Sequence, residues 1–279
     1  MTALGVYSKP EDYTRSVSLL RLAINLGYSL GPAIGGWIAY RIGYVPLFWI
    51  DGLTCLFAAL AVRVFLRQKN MPKKEKKSKA TKAAESPYRD KDYLIFIAMI
   101  ALMGLVFMQL LTTLPVYFKE HFNMNEDQIG LLLALNAFLI VLIEMPIIHK
   151  LEPKSSKIKM VQIGTFAIGL SYFVFLLAPN WIWITVINMT LLSFGEIFAM
   201  PFSNAYCMDL TTSENRGKYM ALYSMAYSFA FIVAPILGMQ VAGRFGFETL
   251  WIILSFISVL TILGLSTIYK KNQRIGQVK

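Results

Sequence analysis

Apolar residues in this chain gather into eight stretches of bilayer-crossing length, at residues 17–40, 45–62, 93–118, 129–148, 160–178, 181–207, 219–242 and 249–269. A helix rises 1.5 Å per residue and needs roughly 20 apolar residues to cross about 30 Å of hydrocarbon. The stretches are apolar all round, whereas strands of a membrane barrel alternate apolar and polar at every second residue. The pattern therefore predicts an all-α transmembrane protein of eight spanning helices. Three stretches, 93–118, 219–242 and 249–269, contain no charged residue, which a buried helix of a soluble core seldom achieves at that length.

Composition agrees. The 279-residue chain is 56% hydrophobic and 15% charged, against about 45–50% and about 25% in soluble domains. Residues 1–15 are polar and lack the short apolar core of a secretory signal. The net charge of +11 raises the question of nucleic acid, and its distribution answers it. With loops assigned alternately to two sides, every Lys and Arg except Arg41, Lys119 and Arg244 falls on one side. Retention of basic loops in the cytoplasm explains that asymmetry. The expectation is a multi-pass protein of the cell membrane, lipid-embedded, with both termini cytoplasmic and no nucleic-acid partner. Cys55 and Cys207 lie in different apolar stretches and read as packing residues.

One long polar segment, 67–92, is rich in Lys, Ser, Thr and Pro and has no apolar periodicity, so it reads as a solvated tether. It divides the chain into 1–66, with two helices, and 93–279, with six. An internal repeat appears at an offset of 203 residues: Leu19 meets Leu222, Pro32 meets Pro235, Gly35 meets Gly238, Arg41 meets Arg244, Gly43 meets Gly246 and Ile50 meets Ile253. Two related bundles joined by a tether is a transporter layout. The second copy carries four helices ahead of the matching pair and the first carries none. The expectation is thus the last two helices of one six-helix bundle followed by a complete one.

The first stretch ends in Gly27-x3-Gly31-Pro32-x2-Gly35-Gly36. Small residues four apart make a smooth face that lets another backbone approach, and the proline bends the helix. Here the chain resembles the antiporter motif on the fifth helix of the major facilitator superfamily, above all its drug–proton antiporters. The phrase from Ser213 through Arg216 and Lys218 to Ser224, with Ala234-Pro235-x2-Gly238, is similar to the tenth-to-eleventh helix region of the same exporters. The resemblance covers the whole chain as helices five to twelve of twelve. It implies that the motif seals the outward side where two bundles meet. The family's signature loop and the charged residues of its first and fourth helices would then precede Met1. The pseudo-equivalent loop from His149 keeps basic charge without the family's Gly/Asp/Arg pattern.

Ionisable groups inside hydrocarbon cost at least about 2.5–3.5 kcal/mol and so mark function or a paired structural role. Glu196 lies deep in 181–207 among uncharged residues, and reads either as a proton-coupling group or as an interhelical hydrogen bond. Glu144, beside Pro146, reads as a latch to a loop Lys or Arg, with Arg216 as the second latch residue. Asp51 lies about two turns below the outer face, with Arg41 or a helix outside the chain as its partner. Arg21, Asn25 and Tyr28 share one helix face at i, i+4 and i+7, and line either a water-filled path or the interface. Gln109 and Asn136 are the central polar residues of their stretches and are candidates either for the same path or for interhelical hydrogen bonds.

No phosphate-binding loop, metal-ligand cluster or catalytic constellation is present in the sequence, so an enzyme is not expected and no cofactor is implied. The preferred reading is a secondary transporter, a proton-coupled exporter of small amphipathic compounds working by alternating access. A nutrient permease of the same fold and a shortened, non-transporting membrane protein remain open as alternatives.

Overall fold

The computed structural model describes residues 13–65, 86–151, 155–178, 181–211 and 215–274. It holds nine α-helices among them: α1 Tyr13–Arg41, α2 Val45–Phe65, α3 Lys91–Phe107, α4 Thr113–Phe122, α5 Glu126–Leu151, α6 Lys157–Leu177, α7 Ile184–Asp209, α8 Arg216–Phe245 and α9 Phe247–Arg274. Residues 67–85 of the predicted tether lie outside the described residues.

Each apolar stretch falls on a helix, yet the predicted count of eight spans is not reached. Seven helical segments among the described residues are long and apolar enough to cross a membrane. The stretch 17–40 forms most of α1, which is not one of them. Its glycines, its serines and Arg21 dilute its apolar character.

The stretch 93–118 departs from the prediction in another way, because it is not one helix. α3 ends at Phe107, a 3-10 turn covers Met108–Leu111, and α4 restarts at Thr113. Thr112 stands between them at φ −121° and ψ −75°. Pro115 is the cause. It has no N–H to donate to residue 111 and its ring crowds that carbonyl, but it is tolerated in the first turn of a new helix. α4 then stops at Asn123, whose φ of 52° suits an Asn cap.

The chain divides into two compact units. One holds α1 and α2 with the Asn125–Val141 portion of α5; the other holds α3, α4, the remainder of α5 and α6 to α9. In the second unit α6 packs most extensively on α7, α9 lies against α6 and α3, and α8 lies against α3. Glycines permit the closest of these approaches. A Cβ on Gly164 of α6 would lie 2.5 Å from the backbone nitrogen of Ala199, and one on Gly104 of α3 would lie 2.8 Å from the Ala230 Cβ. α8 turns a buried row of Ala226, Ala230, Ala234, Gly238 and Ala242 inward, small residues at four-residue spacing.

The internal repeat has a backbone counterpart. Gly43 and Gly246, equivalent under the 203-residue offset, are the glycines with positive φ among the described residues, at 104° and 86°. Each follows the end of its helix, α1 or α8. The Gly43 N–H donates to Ile38 O at 3.1 Å and the Gly246 N–H to Ala242 O at 3.0 Å. Left-handed residues close helices in this way, and glycine adopts that conformation without a Cβ clash.

Candidate functional site

Glu196 is placed by the glycine next to it. Gly195 presses against α6, where a Cβ would lie 2.5 Å from Ile168 Cγ1 and 2.9 Å from Gly164 O. Successive helical positions differ by about 100°, so Glu196 points away from that contact. It is partly buried, two turns along α7 from Ser203.

Tyr227 belongs to a row of hydroxyls. Tyr219, Tyr223 and Tyr227 recur at i, i+4 and i+8 on α8 and so share one face. The Tyr223 hydroxyl lies 2.8 Å from Ser203 Oγ of α7 and 3.5 Å from the Tyr227 hydroxyl, to which it donates. The Tyr223 and Tyr227 rings meet edge to face at 5.2 Å. On α7 the positions level with them are Cys207, Ser203 and Ala199, at i, i−4 and i−8, with Glu196 three residues further on.

One turn further toward the α8 N-terminus the row ends at Asp90. Its Oδ1 caps α3 by accepting from Tyr93 N at 3.0 Å, and its Oδ2 accepts from the Tyr219 hydroxyl at 3.4 Å. Buried Tyr93 donates to Tyr219 O at 2.6 Å, lies 3.3 Å from Cys207 Sγ, and meets the Tyr219 ring at a tilt of 47° with centroids 4.4 Å apart. Cys207 thus packs between α3 and α8 as a free thiol, while Cys55 is exposed on α2. Two ion pairs tie the same end of the unit: Lys157 to Asp209 at 2.5 Å, and Lys271 to Asp92 at 2.7 Å.

The break between α3 and α4 forms a second polar centre. Gln109 is buried, and its Nε2 donates to Ala234 O at 3.0 Å, one residue before Pro235. The Thr113 hydroxyl donates to Gln109 Oε1 at 2.5 Å. Gly238 leaves the room for this pair, since a Cβ there would lie 2.5 Å from Thr113 Oγ1.

A cavity of about 310 Å³ lies at the other end of α8. Tyr117, Phe175, Phe247 and Trp251 wall it, with His121 and Glu248 beside them. The Trp251 indole already stacks with Tyr172 at 5.3 Å and Phe247 at 6.0 Å. These rings chiefly pack on each other.

In the first unit the antiporter-like motif of α1 meets α5. A Cβ on Gly36 would strike the Glu126 carbonyl, and one on Gly130 would strike the Pro32 carbonyl. Pro32 and Gly36 on one helix therefore interlock with Glu126 and Gly130 on the other. Beyond the helix end, the Tyr44 hydroxyl donates to Glu126 Oε1 at 2.8 Å. A methyl on Gly35 would touch only Leu47 of α2, and one on Gly27 or Gly31 would meet nothing within 4 Å among the described residues.

Of the other residues singled out by sequence, Asn136 and Glu144 are buried in α5 at 7% and 8% exposure. Arg216 is exposed at the start of α8 and its Nε lies 3.5 Å from Thr211 Oγ1. Asp51 is exposed on α2, where its backbone carbonyl accepts from Thr54. Arg21 and Asn25 belong to α1, but their side chains lie outside the described residues, as do Ser213 and Glu214 of the supporting phrase. Sequence reasoning does not single out Tyr223, Tyr227 or Ser203, although tyrosines at four-residue spacing are a visible signal. Nor does it find Gly130, whose importance appears only once α1 lies beside it. Among the described residues no group of His, Cys, Asp and Glu is arranged to hold a metal.

Seven helical segments of bilayer-crossing length, packed on one another through small residues, define a multi-pass membrane protein. The profile of the Major Facilitator Superfamily matches residues 1–210 and 118–277, and the chain belongs to that family. It is 24% identical over 280 residues to the "Na(+), Li(+), K(+)/H(+) antiporter" of Planococcus maritimus, covering 90% of this chain and 65% of that protein. It is 28% identical over 186 residues to "Multidrug resistance protein 2" of Bacillus subtilis (strain 168), covering 66% of this chain and 46% of the relative. Its fold is similar to that of a bacterial homologue of the iron transporter ferroportin in an inward-facing state, with a TM-score of 0.65 at 16% identity over 97% of this chain and 66% of that one. A POT family transporter solved with 5-aminolevulinic acid matches with a TM-score of 0.58 at 15% identity, covering 95% of this chain and 55% of that one. The chain thus spans about 65% of the length of the antiporter it matches over most of its own extent.

Proposed function

We propose that the chain works in secondary active transport, exporting small amphipathic compounds in exchange for protons by alternating access. Glu196 carries this reading. A carboxyl group well inside a membrane-spanning helix, beside hydroxyls and away from the basic loops, is expensive to keep there and suits proton exchange. The Pro32/Gly36 contact with α5 supports the antiporter comparison, because it is made by motif residues at the spacing that made the sequence resemble that group. The name of the multidrug relative supports an amphipathic cargo. The basic loops support a cell-membrane location with cytoplasmic termini.

A second reading is exchange of a monovalent metal cation for protons. The name of the Planococcus relative favours it, and it uses the same carboxylate. One experiment separates the two. The purified chain is placed in proteoliposomes holding a pH-sensitive dye and an imposed proton gradient, then given tetraphenylphosphonium, Na⁺, Li⁺ or K⁺. Dissipation by the lipophilic cation alone supports export, and dissipation by the metal ions supports the second reading. Glu196→Gln abolishes either response; unchanged proton exchange in that variant overturns the assignment.

A further inference from the structure

A buried carboxylate that exchanges protons needs a route to water, and a hydroxyl can serve as part of one because it both donates and accepts. The row beside Glu196 has this character. Ser203 Oγ lies 2.8 Å from the Tyr223 hydroxyl, which donates to the Tyr227 hydroxyl at 3.5 Å. Ser203 and Tyr223 are buried, and Ser203 Oγ also donates to Met200 O of its own helix at 3.0 Å, a bond it exchanges for Tyr223 in the relay. Helix register carries the row to Glu196. α7 and α8 run antiparallel with Ser203 opposite Tyr223, so the next turn of α8 brings Tyr227 level with the turn of α7 that holds Glu196 and Met200. In the other direction the same faces lead through Cys207 and Tyr93 to Tyr219 and the carboxylate of Asp90, at the end where Lys157 pairs with Asp209 and Lys271 with Asp92.

We propose that Ser203, Tyr223 and Tyr227 form a hydroxyl relay that passes protons between Glu196 and the end of the helix seam marked by Asp90. The inference rests on Glu196 being the proton-exchanging group. In one passage Tyr227 gives its proton to the Glu196 carboxylate and takes one from Tyr223; Tyr223 takes one from Ser203. Ser203 is refilled by water entering from the level of Cys207, one helical turn away. Each hydroxyl ends neutral with its hydrogen bond reversed, the carboxylate ends as the acid, and the hydroxide left by the entering water takes a proton from the bulk.

Other ionisable groups meet α7 without joining the row. On α6, Lys157 is held by Asp209 and Tyr172 stacks on Trp251; on α3, the Tyr93 proton goes to a backbone carbonyl. On α8, Arg216 and Lys218 are exposed at the helix start.

The test uses Tyr223→Phe and Tyr227→Phe, which keep the ring contact and remove the hydroxyl, with Ser203→Ala as a third variant. Proton exchange is followed with the pH dye in proteoliposomes, under whichever of tetraphenylphosphonium or Na⁺ drives it in the parent chain, across pH 5 to 9 and in H₂O and D₂O. The relay predicts at least a tenfold slower exchange in each Phe variant, a changed pH profile, and a smaller solvent isotope effect as bulk water takes over. Thermal midpoints in detergent stay near that of the parent. If Glu196→Gln stops exchange while the Phe variants keep the parental rate, profile and isotope effect, the relay is overturned and the role of Glu196 stands. If Glu196→Gln leaves exchange intact, both fall together.

Discussion

Gly36 of α1 and Gly130 of α5 are in backbone contact: a methyl carbon on Gly36 would lie 3.1 Å from the Gly130 Cα, and one on Gly130 would lie 3.2 Å from the Gly36 Cα. No side chain separates the two helices at this point. Within a membrane, where apolar burial does not distinguish a neighbouring helix from lipid, such close backbone packing is a main source of helix association.

Gly36→Ala and Gly130→Ala should therefore each destabilise the first unit. Overpacking of a tight contact costs about 1–3 kcal/mol. Gly27→Ala and Gly31→Ala place a methyl in open space and should be neutral or slightly stabilising, since alanine is the better helix former. Thermal unfolding of the four variants in one detergent checks the contrast, and equal loss in all four would contradict it.

Gln109 and Gly238 should be coupled. Gln109→Leu leaves the Ala234 carbonyl and the Thr113 hydroxyl without their amide partner, at a cost of about 1–3 kcal/mol. Gly238→Ala pushes a methyl into the same amide. Combining Gln109→Ala with Gly238→Ala should recover part of the loss of the single glycine variant. The double-mutant cycle is predicted to show about 0.5–3 kcal/mol of interaction energy.

Gly43 and Gly246 should respond alike. Both hold positive φ after a helix end, so an alanine meets the left-handed penalty of about 1–2 kcal/mol at each. Matching losses of thermal stability in Gly43→Ala and Gly246→Ala would support the repeat as a structural one. A loss at only one position would confine the equivalence to sequence.

Orientation can be read by cysteine labelling. In a Cys55→Ser background, Glu248→Cys in the first turn of α9 should react with a membrane-impermeant maleimide from outside intact cells. Lys218→Cys, in the first turn of α8, should react only after the membrane is opened. The reverse pattern would invert the expected topology.

The helices themselves are legible in the order of the residues, because an apolar segment of bilayer length has one low-energy state in lipid, with every backbone N–H and C=O bonded within the segment. The 203-residue repeat is legible too, through Pro, Gly and Arg recurring at the same places. The break at Thr112 is hidden, although Pro115 signals it, since apolar character on both sides of the proline continues the span. Candidate residues divide along the same line. Glu196 and Gln109 stand out for being polar where polarity is costly. Tyr223, Tyr227, Ser203 and Gly130 do not, as each is ordinary along the chain and gains meaning from what faces it.

Sequence by itself determined which segments are apolar and helical and singled out the carboxylate that a bilayer would not otherwise admit, both of which depend on local composition against a known solvent. Tertiary structure decided which faces meet. Gly195 turning Glu196 toward α8, Gly36 seating on Gly130, and Gln109 reaching Ala234 each depend on the crossing of two helices far apart in the chain, and such crossings are set by side-chain volumes on both partners at once.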